Sequence, residues 1–201
     1  MSDLQCPARI FVARHGDAGY DRPDVMTDEG GRLTPRGREE ALVTASWLRG
    51  ERVAAIYTSP LSRSVETAEV FARVLEVQPT TLPGVEEFWV GDLDGHGFEE
   101  GQRYFGAWLA GQLDLRWPGG ETGNEVIARM TNALDYVSLR HRGEAVVVVS
   151  HGGIMSLTLP RIATGSGVSL HSPPPLATCA IVRLEVDADG WRFVGPWPGR
   201  G

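Results

Sequence analysis

The sequence predicts an α/β fold, a three-layer α/β/α sandwich built on a mostly parallel central sheet. Short apolar runs rich in β-branched and aromatic residues, at 10–13, 53–57 and 145–149, alternate with segments of helical periodicity. The last run is apolar on both faces, as a strand covered by helices on each side should be. Each run ends in turn chemistry: Gly16 after the first, Ser59-Pro60 after the second, Gly152-Gly153 after the third.

Taken in order, the first strand gives way to a Gly- and Asp-rich loop at 17–32, long enough to be functional in its own right. Thr34 as N-cap and Pro35 at the first helical position open a helix over 36–49. Gly37, Ala41, Ala45 and Leu48 share one face of it, small enough for close approach to a sheet, and Gly50 reads as its stop. After the strand at 53–57, Ser59 as N-cap and Pro60 are expected to start a helix reaching about Glu76, with Arg63 in its first turn. A short strand is expected at 80–82 and a helix at 98–112. Pro118-Gly119-Gly120 breaks the chain, and a helix over 121–140 carries Val126, Met130, Ala133, Leu134 and Val137 at core spacing. A helix follows His151 to about Ala163, then a loop with three successive prolines. A hairpin at 179–194 turns around Asp187-Ala188-Asp189-Gly190.

At 201 residues the chain suits one domain. No apolar run approaches the roughly 20 residues of a membrane span. The stretch 1–7 lacks the features of a secretory signal, and Cys6 and Cys179 have no metal-like spacing. A cytoplasmic protein with free thiols is expected. The net charge of -7 argues against nucleic acid. Against that field, Arg14 and Arg63 with His15 and His151 form a positive focus suited to a small anion.

Those residues recur at strand ends: Arg14-His15-Gly16, Ser59-Pro60-Leu61-Ser62-Arg63, Glu86-Glu87, and Ser150-His151-Gly152-Gly153. The ordered set resembles the histidine phosphatase superfamily, with its phosphoglycerate-mutase-like fold, from about Arg9 to Arg161. The resemblance implies that His15 is transiently phosphorylated, with Arg14, Arg63 and His151 holding phosphate. It implies Glu87 as proton donor and base, since Glu87 with Gly91 and Gly95 fits the family spacing and Glu86 does not. Glu86 is then a solvated neighbour. Pro118-Gly119-Gly120-Glu121 resembles the family's Pro-Gly-Gly-Glu-Ser and is expected to serve as a turn and helix start, Glu121 lying in the first turn.

The chemistry is coherent with the residue types. Two guanidiniums keep His15 neutral and grip phosphoryl oxygens, and Gly16 frees a carbonyl-lined turn that can take the ring's other N–H. No cofactor or metal is called for. Asp17-Ala18-Gly19-Tyr20-Asp21 departs from the Glu-Ser and Trp-Asn of the mutases, which favours hydrolysis of a small phosphomonoester. Arg-His-Gly-Asp-Ala also occurs in small phosphohistidine phosphatases, but those leave the pocket open, whereas this chain has a capping segment at about 88–119. A phosphohistidine-protein substrate, a phosphoglycerate-type mutase and a non-catalytic phospholigand binder stay open as alternatives. Asp17, Asp21, Asp24, Asp28 and Glu29 are expected over the pocket mouth, disfavouring substrates with extra negative groups. His96 is expected to face solvent, and His141 and His171 are given no chemistry. The chain is expected to act as a monomer or homodimer.

Overall fold

The computed structural model describes residues 6–198, so most of the polar stretch at 1–7 lies outside the described residues. In chain order the elements are β1 (Ala8–Arg14), β2 (Ala18–Gly19), β3 (Arg32–Leu33), α1 (Pro35–Leu48), β4 (Val53–Thr58), α2 (Ser62–Leu75) and β5 (Pro79–Thr81). They continue with α3 (Phe98–Leu109), α4 (Gly123–Arg140), β6 (Ala145–Ser150), α5 (Gly152–Ile162), β7 (Ala163–Thr164), β8 (Ile181–Asp187) and β9 (Gly190–Phe193). A 7-stranded sheet runs in the order β5-β4-β6-β1-β8-β9-β7. Only β8 runs against its neighbours, so the sheet is mostly parallel as expected.

The period-2 rule of strands sorts the core into two layers. Ile10 and Val12 of β1, with Val146 and Val148 of β6, face Met130, Leu134 and Val137 of α4 and Ile154 and Leu157 of α5. Phe11, Ala13, Val147 and Val149 face the other way, onto Ala41, Ala45 and Leu48 of α1 and Ala68 and Phe71 of α2. No helix among the described residues is long and apolar enough to cross a membrane.

Thr34 caps α1 as expected, its hydroxyl accepting from Gly37 N at 3.0 Å and donating to Asp17 at 2.6 Å. Gly50 is not the stop: α1 ends at Leu48, a single tight turn covers Arg49–Glu51, and Arg52 at φ 53° takes the left-handed position. Ser59 is not an N-cap either. Helix α2 begins three residues later, at Ser62, and the Ser59 hydroxyl instead accepts from Leu61 N at 3.2 Å and from His151 Nε2 at 2.8 Å. Helix α4 starts at Gly123, where Thr122 and Glu125 form a reciprocal capping box that leaves Glu121 outside the first turn. The Thr-x-x-Glu pattern was the local signal for that start. Helix α3 stops at Leu109, short of Gln112, and β5 lies one residue earlier than expected. The hairpin closes as expected, with Asp187 opposite Gly190.

Gly37 shows how closely the first loop meets the first helix. A Cβ there would run into the Asp17 carbonyl. Gly106, in exposed α3, has nothing within 4 Å of such a Cβ. Gly37→Ala is therefore expected to destabilise the fold by roughly 1–3 kcal/mol through overpacking. Gly106→Ala is expected to be neutral or to stabilise by up to about 1 kcal/mol through helix propensity. Urea unfolding of both variants checks the opposite signs.

Candidate active site

Parallel register brings the strand ends level. Arg14 pairs with Ser150 and Thr58 with Val149, and the ladder runs on through His15 N to Ser150 O and Ser59 N to Val149 O, both 3.0 Å. Beyond these carboxyl ends lies a cavity of about 650 Å³, with Arg14, His15, Arg63 and Glu87 all on its wall.

His15 is 6% exposed, and its Nδ1 lies 2.8 Å from Gly16 O. A carbonyl can only accept, so Nδ1 carries the hydrogen and Nε2 keeps the lone pair. Burial, then Arg63 and more weakly Arg14, depress the imidazole pKa to about 3, against the Gly16 hydrogen bond that raises it. The ring is thus neutral at neutral pH, with Nε2 unprotonated. Gly16 is required where it stands: a Cβ would come within 2.6 Å of Gly37 O. Its N–H donates to Thr67 Oγ1 at 3.1 Å, which in turn donates to Arg63 O at 2.7 Å, so α2 holds the loop that carries His15.

Arg63 is 4% exposed. Its Nε donates to His151 Nδ1 at 3.2 Å and its Nη1 to Gly30 O at 2.9 Å. His151 accepts at Nδ1, so its Nε2 carries the hydrogen and donates to Ser59 Oγ at 2.8 Å, with Ser64 Oγ at 3.2 Å. Burial and the Arg63 guanidinium hold His151 well below the ordinary imidazole range. Its ring lies beside that of His15, centroids 5.2 Å apart, but it is wholly buried and not on the cavity wall. Both of its ring nitrogens are engaged by protein groups, Nδ1 by Arg63 and Nε2 by Ser59.

The two glycines after His151 make room for other residues. A Cβ on Gly152 would meet Arg14 Nε at 3.2 Å, and one on Gly153 would meet Phe88 at 2.5 Å and a Glu87 oxygen at 2.8 Å. Arg14 donates from Nη1 to Leu176 O at 2.6 Å, and its buried Nε has no partner among the described residues. Glu87 occupies the start of α5, accepting from Gly153 N at 2.9 Å and Ile154 N at 2.7 Å. Ser150 Oγ donates to Val85 O at 2.7 Å and steers the chain toward it.

Sequence reasoning missed Arg129, which clamps this loop. It donates to the carbonyls of Gly84 (3.0 Å), Glu86 (2.8 Å) and Glu87 (3.2 Å), and is itself held by Glu121 at 2.7 and 3.0 Å. Glu121 so has a structural partner in place of its expected helix-start role, and it also accepts from Trp89 N. Glu86 is likewise not a solvated neighbour: it accepts from Gly84 N at 2.6 Å and sits 3.6 Å from Arg129.

The loop at 17–32 does wall the cavity, but not with its acids. Tyr20, Pro23, Val25, Met26 and Thr27 line it, and none of Asp17, Asp21, Asp24, Asp28 or Glu29 does. Asp28 instead turns to Val90 N at 2.6 Å and Gly91 N at 3.3 Å, tying the loop to the 88–97 stretch; burial raises its pKa despite those donors. The acidic rim is therefore replaced by an apolar wall. Tyr20, also missed, has Arg63 over its ring at 5.8 Å. His96 faces solvent and pairs with Glu100, while His141 bonds Tyr57 and Glu144, and His171 the Leu109 carbonyl. Among the described residues no group of three or more His, Cys, Asp and Glu is placed to hold a metal ion. Cys6 and Cys179 are free, and burial pushes the Cys179 thiol up to about 12.

The depressed histidines set a pH dependence. In the unfolded chain an imidazole takes a proton below about 6.5, whereas folded His15 resists until about 3. The unfolded state binds more protons across that interval, so stability is full above pH 6.5 and falls as pH drops toward 3. Urea unfolding should show a plateau at pH 7–8 and a decline already between 6.5 and 5, before most carboxylates titrate. A flat profile over that range would contradict the assigned tautomer and burial.

The sequence model of the histidine phosphatase superfamily (branch 1) matches residues 10–196. A metal-independent phosphoserine phosphatase of Arabidopsis thaliana is 32% identical over 169 residues, 78% of this chain and 69% of that protein. A probable phosphoglycerate mutase of Photorhabdus laumondii is 25% identical, over 93% of this chain and 89% of its own length. Among solved structures, YhfR of Bacillus stearothermophilus superposes with TM-score 0.79 at 26% identity, covering 93% of this chain and 95% of that one. A mycobacterial glucosyl-3-phosphoglycerate phosphatase has the same fold, with TM-score 0.79 at 20% identity, covering 96% and 100%. The chain belongs to the histidine phosphatase superfamily, branch 1.

Proposed function

We propose that this protein is a phosphomonoester hydrolase working through a phosphohistidine at His15, without a metal cofactor, on a small phosphorylated metabolite. The observation that carries the reading is the His15 ring, neutral, with Nδ1 donating to Gly16 O and Nε2 left as the nucleophile beside Arg14 and Arg63. Relatives named as phosphatases support it, among them the phosphoserine phosphatase that is 32% identical.

In the first step the Nε2 lone pair attacks phosphorus and the P–O ester bond breaks. Glu87 gives its proton to the departing alkoxide. In the second, water attacks the phosphorus, Glu87 takes the water's proton, and the P–N bond breaks to return neutral imidazole and free phosphate. Charge spread over the phosphoryl oxygens is met by Arg14 and Arg63. Arg14 lies on the cavity wall beside His15, which supports this role. His151 is a positioning residue, its Nδ1 orienting Arg63. The segment at 88–119 acts as a cap, supplying Phe88, Val90, Phe98, Phe105 and Trp117 to the cavity wall. The free thiols fit a cytoplasmic setting.

Wild-type protein incubated with a phosphomonoester in EDTA should retain turnover and yield an acid-labile, base-stable phosphoenzyme mapping to position 15. His15→Ala should abolish it. His151→Ala should slow its formation yet leave the label at His15. Label on His151, or activity restored only by added divalent metal, would overturn the mechanism.

Glu87 is tested by leaving group. Glu87→Gln should lower kcat/KM roughly 10²-fold or more for an alkyl phosphate and much less for nitrophenyl phosphate, whose leaving group needs little protonation. Glu86→Gln should instead lower stability modestly, since it removes the negative charge that faces Arg129 at 3.6 Å and weakens the bond from Gly84 N, and should show no such leaving-group dependence. Reversal of the two patterns would move the acid to Glu86.

A further inference from the structure

Resting on the phosphatase reading, we infer that the alcohol released from the phosphate is apolar and uncharged: an aromatic group or a chain of several carbons, not an amino acid or sugar acid with its own carboxylate. The cavity of about 650 Å³ is far larger than a phosphoryl group needs, so its outer wall must select the alcohol. Among the described residues, the ionisable side chains on that wall are Arg14, His15, Arg63, Glu87 and the Tyr20 phenol. The first four are committed to the phosphoryl group and its protons. Burial raises the pKa of Tyr20, so it offers a neutral hydroxyl.

Apart from the uncharged polar side chains of Thr27, Gln102 and Ser156, what remains is hydrocarbon. Phe88 and Phe105 stack at 5.4 Å with 15° between their planes, and Trp117 tilts against Phe88 at 5.1 Å. Met26 and Leu109 continue the surface, and Phe98 on the same wall is 50% exposed, an apolar ring held in water. Cations that might have met a second anionic group are turned elsewhere. Arg22 donates to Gly95 O, Arg129 is held by Glu121, and neither is on the wall. A substrate carboxylate would be desolvated here without a partner, and a substrate ammonium would find no acid except the catalytic one. An apolar alcohol gains from the same surface about 25 cal/mol for each Å² it buries.

Linear alkyl phosphates test this cleanly, because their alcohols differ little in acidity and the chemical step is held constant. The full-length protein is assayed in EDTA with ethyl, butyl and hexyl phosphate, with phosphoserine and 3-phosphoglycerate, and with nitrophenyl phosphate as the general control. The expected result is a rise in kcat/KM of about two- to fourfold per methylene, with phosphoserine and 3-phosphoglycerate at least tenfold below hexyl phosphate. Phe105→Ser should flatten the rise. A flat or falling series, or 3-phosphoglycerate or phosphoserine as the best ester, would overturn the substrate class while the nitrophenyl control still upheld the phosphatase. Loss of His15-dependent turnover with every ester, control included, would overturn both.

Discussion

A buried guanidinium held by a neutral imidazole is the contact on which the site depends. Arg63 is almost wholly removed from water, and its Nε finds an acceptor only because His151 is unprotonated at Nδ1. That state follows from burial and from Arg63 itself, so cation and neutral ring enforce each other. Ser59 fixes the other end of His151 by taking its Nε2 hydrogen. The same guanidinium is, after burial, the strongest influence keeping His15 neutral. Protonating either ring would place a second charge beside Arg63 in a low-dielectric setting, at a cost of several kcal/mol.

Close backbone approach is the second constraint. Gly16 meets Gly37, Gly37 meets Asp17, and Gly152 and Gly153 meet Arg14 and Glu87. Helix α1 can therefore bring its first turn against the His15 loop, and α5 can present its first N–H groups to the Glu87 carboxylate. These glycines are needed for space, since none of them has a positive φ. The anion-binding end of α5 is thus filled by the protein's own acid, which holds that acid at the edge of the cavity.

Around this polar base the chain builds an apolar chamber from two distant stretches. The loop at 17–32 and the segment at 88–119 are joined by Asp28 on Val90 and Gly91 N–H, by Met26 N on His96 O and by Gly95 N on Met26 O. Of the acids that make the loop look like a charged rim, Asp17 bonds Thr34 and Asp28 bonds Val90 and Gly91, and none of the five lines the cavity. Aromatic and aliphatic side chains are left to face it.

The sequence by itself determined the sheet, the order of the elements and the place of Arg14, His15, Arg63, Glu87 and His151 near strand ends. Those features rest on local signals: apolar period, the Thr34-Pro35 start, and turn glycines behind each run. Family spacing alone separated Glu87 from Glu86. The tertiary structure decided what each group does with its hydrogens and which side chains line the cavity. Ser59 reads locally as a helix cap, but a histidine 92 positions away takes its hydroxyl. Glu121 reads as a first-turn acid, but Arg129, nearly two turns inside α4, takes its carboxylate and carries it to the Glu87 loop. Charge on the loop at 17–32 is visible in one dimension, whereas the direction of the Asp28 carboxylate is set by donors on a segment about sixty residues on. Hydrogen bonding is satisfied by whichever partner the fold brings near, so roles that depend on it are written only once the chain has closed.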